Sequence, residues 1–168
     1  MKQASLVSTT AMAAGLLALV QTAVAQDLVN ARILALDMAR DIASAAIEAC
    51  RKDGYQVSVA VTDRSGDPLV ILRDIYSNRY LTKIALGKAN AVVMSNVSSA
   101  ELRRNRGDMV NELNLLDGIL VLDGGLPVQV AGSLVGAVGV SGAPTGEVDE
   151  MCARKGIDAV QERLDFAD

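Results

Sequence analysis

Five side chains between positions 76 and 88 carry most of the chemistry this sequence offers. Tyr76 and Tyr80 are its only closely spaced phenols. They can serve a ligand, or can be amphipathic edge residues whose rings pack while the hydroxyls stay wet. Arg79 and Lys83 stand four apart, on one face of a predicted helix. Two cations so placed can receive an anion, or can be ordinary solvated helix charge. Lys88 lies four residues after Ile84 and four before Val92, on an otherwise apolar stripe. Either its stem snorkels along the core, or a partly buried amine faces a ligand slot.

Other reactive types are less suggestive. Asp149 and Glu150 are adjacent carboxylates, but they fall in the first turn of a predicted helix, where the dipole favours negative charge. Met94 and Met109 are soft thioethers of a kind usually used as core filler. Arg103, Arg104 and Arg106 read as a solvated helix face. No acid–base constellation assembles from these residues, which favours a binding protein over an enzyme.

What is absent narrows the chemistry further. The 168 residues contain no histidine, so a Ser-His-Asp triad and the usual histidine-rich zinc sites are excluded. Two cysteines cannot complete a cysteine-only zinc site. The formal charge is −4, and one Phe and no Trp leave little for base stacking, so nucleic acid is disfavoured as a partner.

These residues must be positioned by the elements around them. Lys2, the apolar run Ala11–Val20 and the small-x-small stretch Ala23-Val24-Ala25 read as a secretory signal peptide over residues 1–25. The mature chain, residues 26–168, then has the length of one domain and a charge of −5 once Lys2 is removed. No later segment is long and apolar enough for a transmembrane anchor. Helical spacing of apolar residues runs from Leu28 to Lys52. Alternation marks strands over 56–62 and 68–73, joined by the turn Asp63–Asp67. A second helix is predicted over 78–94, and Ser98 with Glu101 forms a capping-box pattern that opens a third. Ile119–Leu122, Pro127–Ala131 and Leu134–Val140 read as three more strands, the last two joined at Gly132-Ser133. Thr145 caps a final helix. The order predicts an α+β fold, with a five-stranded antiparallel sheet flanked by helices.

The run "GGLPVQVAGSLVGAVGVSG" from Gly124 to Gly142 is not a phosphate loop. Its glycines lead into strands rather than into a helix N-terminus, and no Gly-Lys-Ser/Thr follows. Glycines inside a strand mark a bulge or a close approach by another backbone or a flat ligand.

This run, the "EVDEMCARKGIDAV" that follows it, "VSVAVTDRSGDPLVILRD" and "ALGKANAV" together resemble the GlcG/HbpS haem-binding family over nearly the whole mature chain. The resemblance implies a profilin-like α-β-α layer fold, a homo-oligomer, and haem as the ligand. On that reading Tyr76 or Tyr80 would offer a tyrosinate to ferric iron, and Arg79 and Lys83 would meet the propionates. The family match extends to Lys88. Ala91 stands where many relatives carry threonine. The second reading is a non-haem oligomeric module or an enzyme for a small organic anion, using the same cationic helix.

In the arrangement the resemblance implies, the first and last strands are neighbours. Cys50 at the end of the first helix and Cys152 near the start of the last would then meet at one end of the sheet. That makes them candidates for a disulfide in a periplasmic or secreted protein.

Overall fold

The computed structural model describes residues 31–167, so the signal-peptide reading of residues 1–25 lies outside the described part. Helix α1 (Leu36–Lys52) leads to the hairpin β1 (Ser58–Asp63) and β2 (Pro68–Arg73). Then come α2 (Arg79–Ser95), α3 (Ser99–Asn105) and the single turn α4 (Val110–Leu113). A second hairpin, β3 (Gly125–Val130) and β4 (Ser133–Ser141), precedes α5 (Gly146–Asp158) and α6 (Gln161–Asp165). The sheet order is β2-β1-β4-β3 and every pair is antiparallel.

Strand alternation divides the sheet into two unlike faces. Val57, Val59, Val61, Leu126, Val128, Val138 and Val140 form one core with Ile42, Ala46 and Cys50 of α1 and Cys152 and Ile157 of α5. Each fully buried Val or Ile contributes about 1.5–3 kcal/mol. The other face is built from small residues, and α2 lies on it. A Cβ added to Gly139 would stand 2.0 Å from the Ala85 carbonyl oxygen, and one on Gly125 would stand 2.5 Å from that of Lys88. The glycine run therefore seats a helix backbone directly on the sheet.

Three expectations are corrected. The sheet has four strands, not five. Ile119–Leu122 satisfies its backbone elsewhere: Leu120 N donates to Gly87 O at 3.0 Å and Val121 N to Asn114 Oδ1 at 2.7 Å. Val121 packs against Ala91 and Leu102, and a short apolar run of that kind looks like a strand from periodicity alone. Helix α1 begins at Leu36 rather than Leu28, because Leu34 is drawn into the core by a non-helical approach. The β3–β4 loop is Ala131-Gly132, one residue earlier than the sequence suggests, since Val130 pairs with Ser133.

Both loop residues have positive φ, 48° at Ala131 and 77° at Gly132, as a type I′ turn demands. Alanine is a poor choice there, because its Cβ crowds the carbonyl in the left-handed region. Ala131→Asn is expected to raise the unfolding free energy by about 0.5–1 kcal/mol. Chemical denaturation would check this, and an unchanged or lower midpoint would argue against the turn geometry.

The predicted caps are present. Ser98 Oγ accepts from Glu101 N at 3.1 Å, and Thr145 Oγ1 accepts from Val148 N at 3.4 Å.

Candidate functional site

The segment before α2 is fixed by polar contacts that place the phenols outward. Asp74, with its side chain buried, is gripped by two nitrogens of Arg51. The hydroxyls of Ser58 and Ser77 meet at 2.8 Å, and Arg73 donates to the Ser77 carbonyl. Asn78 then caps α2, its Oδ1 accepting from Tyr80 N at 3.0 Å. From this scaffold Tyr76 projects 83% exposed and Tyr80 60% exposed, beside Ile75 at 78%. Arg79 donates to Tyr80 Oη at 2.9 Å, with its guanidinium carbon 4.8 Å from the ring centre. Lys83, one turn on, is exposed. Four of the five residues singled out in the sequence thus share one outward-facing end of α2.

Lys88 is not with them. It lies nine residues beyond Arg79, roughly 13 Å along the helix axis, and its amine end is itself buried. The snorkelling alternative fails, because only 4% of the side chain is accessible. Lys88 Nζ donates to Asp149 Oδ2 at 2.7 Å and to the Val140 carbonyl at 2.8 Å. Asp149 Oδ1 accepts from Ala143 N at 2.9 Å. Burial lifts the Asp149 carboxyl above its ordinary range, opposed in part by the Lys88 ammonium and by the amides of Gly142 and Ala143. Asp149 is therefore more than a dipole-compensating carboxylate of α5. It ties α5 to α2 across the end of β4.

Two cavities that share lining residues lie here, one of them against this pair. One of about 290 Å³ is lined by Lys88, Asp149, Thr145, Glu147, Arg103 and Asp123. The other, about 660 Å³, shares Arg103, Asp123 and Glu147 and adds Arg104, Arg154 and Lys155. Arg103 is more than solvated helix charge, since it donates to Asp123 Oδ2 at 2.6 Å. Glu147 is held below its usual range by its own α5 amide first and by the Thr145 hydroxyl next. The sequence signal for the Lys88 partner was weak. A lysine on an apolar stripe requires an acid from elsewhere in the chain, but spacing alone does not say which.

Cys50 and Cys152 are joined in a disulfide between α1 and α5, with Cα atoms 5.5 Å apart.

A four-stranded antiparallel sheet between helices, with small residues seating α2 and a buried Lys–Asp pair locking α5, defines a small α+β fold of distinctive layout. The chain belongs to the HbpS-like family, whose family model, described as "Haem degrading protein HbpS-like", matches residues 34–158. A crystal structure of HbpS is 37% identical with a TM-score of 0.75, covering 83% of this chain and 98% of that one. Protein ORFY of Klebsiella pneumoniae, of the DUF336 family, is 25% identical with a TM-score of 0.74, covering 83% and 98%. A PduOC–haem complex at 24% identity shares the fold, with a TM-score of 0.67 and coverage of 76% and 94%. None of the curated proteins matches this chain.

Proposed function

We propose that the protein is an exported haem-handling protein that binds haem at the outward end of α2 and does so as a homo-oligomer. Membership of the HbpS-like family carries this reading, and a relative of the same fold is named as a haem complex. The residues at the α2 end suit the group. Haem supplies a ferric iron and two carboxylates set in a flat apolar ring. With no histidine in the chain, a phenol oxygen of Tyr76 or Tyr80 is the available axial ligand. Ile75 and the tyrosine rings offer apolar contact, and Arg79 and Lys83 supply charge for the propionates. Ala91, where the family resemblance implies a threonine in many relatives, is buried against Leu102 and Val121 and has no side-chain donor.

The exposure of Tyr76 and Tyr80 supports the oligomer. A surface this open covers one face of a flat ring, so the other face is to be closed by a second copy.

Hemin titration of the mature protein is expected to give a saturable Soret shift in the micromolar range. Tyr76→Phe with Tyr80→Phe is expected to keep the fold and weaken hemin binding at least about tenfold, or roughly 1.4 kcal/mol. Loss of a phenolate-to-iron absorption band would accompany it. Absence of any saturable shift would rule the haem reading out. Light scattering that shows a monomer at all working concentrations would reject the assembly.

A further inference from the structure

The turn that leads into α2 runs against local preference twice. Asp74 to Ser77 is a β-turn, closed by Ser77 N donating to the Asp74 carbonyl at 3.1 Å. Its central pair is Ile75 and Tyr76, where Gly, Pro, Asn or Asp is usual. Both project into solvent, while Asp74 and Ser77 on either side are buried and hydrogen-bonded to Arg51 and Ser58. Helix α2 then opens on Arg79 with no acid in its first turn, although the dipole there favours negative charge.

The charge around this tip is of one sign. Arg73, Arg79 and Lys83 are exposed and form no ion pair among the described residues. From Pro68 to Ala100 the sole acid is Asp74, which is buried and paired with Arg51. The chain as a whole is acidic, with a formal charge of −4, so this cationic end is local. Other bare apolar side chains are bordered differently. Leu115 and Leu116 lie between Glu112 and Asp117, and Phe166 follows Asp165.

We propose that this end of α2 docks on an anionic lipid surface. Ile75 and Tyr76 enter the headgroup layer, and Arg73, Arg79 and Lys83 meet the lipid phosphates. An isoleucine loses its water there, aromatic rings settle at headgroup level, and long cationic side chains keep their charge at the phosphates. A projecting tip suits a fluid surface that closes around it. Haem and a second copy over the same tyrosines would withdraw the tip from lipid, so the docking form is the haem-free one.

The test uses the haem-free mature protein, which lacks the apolar run Ala11–Val20. It is mixed with vesicles of phosphatidylcholine, or of phosphatidylcholine with phosphatidylglycerol. Sedimentation is expected to carry the protein down with the mixed vesicles only. Arg79→Gln with Lys83→Gln should weaken this about thirtyfold, and Ile75→Ser with Tyr76→Ser at least about tenfold. The chain has no tryptophan, so Tyr76→Trp reports on the tip. Its emission should shift to the blue on mixed vesicles, and that of Leu115→Trp should not. Protein left in solution, equal binding to both vesicles, unchanged binding in either double variant, or a shift in both reporters would overturn the docking. Self-association that is lost in Ile75→Ser with Tyr76→Ser, with no vesicle binding by the wild type, would give the surface to a second copy instead.

Discussion

Cys50→Ala with Cys152→Ala is expected to lower the unfolding free energy by up to about 4.7 kcal/mol. The bridge spans 102 residues, and closing a loop of that length removes about this much conformational freedom from the unfolded chain. Both cysteines are fully buried in the main core, so their removal also leaves small voids. The bridge also anchors α5 three residues after Asp149, on the helix whose first turn lines the cavity. Urea denaturation of the oxidised protein, the reduced protein and the double variant would check it. The last two should both lie well below the first, the double variant lower still by the cost of the voids. A loss under about 1 kcal/mol would mean that packing of α1 on α5 holds without the covalent link.

Lys88→Met is the second large change. It strands a buried carboxylate, which costs about 3–5 kcal/mol. Lys88→Met combined with Asp149→Leu is expected to recover most of that, because the desolvation cost disappears with both charges. The deficit of the single variant also depends on pH, with a definite sign. The folded state already holds the Asp149 proton more tightly than the unfolded chain does, and loss of the ammonium strengthens that hold. The folded state then binds more protons than the unfolded one across the window above the ordinary carboxylate value. Stability contributed by Asp149 therefore falls as pH rises through that window. The single variant should come closer to wild type in acid than at neutral pH, and the double variant should lack this dependence. Denaturation at several pH values would show it. A constant deficit would argue that Asp149 keeps a partner when Lys88 is gone.

Much of the layout could be read from residue order. Val57, Val59 and Val61 alternate with Ser58 and Ala60, Asp63–Asp67 turns the chain back, and Ser98 and Thr145 cap the helices they precede. These features are local, because periodicity, turn chemistry and caps act over a few residues. Ile119–Leu122 marks the limit of such local signals. Its apolar run fits a strand, and only the Gly87 carbonyl and the Asn114 side chain, brought alongside by folding, take its amides instead.

The candidate sites divide along the same line. Tyr76, Arg79, Tyr80 and Lys83 were legible because they are close in sequence and a single helix start arranges them. By itself the sequence determined the absence of histidine chemistry, the α+β class and the family. Tertiary structure alone decided that Lys88 meets Asp149, 61 positions away, and that Arg103 meets Asp123 beside the same cavity. The physical reason is burial. A charge on an apolar stripe must find a countercharge once water is removed, and which one it finds depends on the strands and helices that meet at the end of β4.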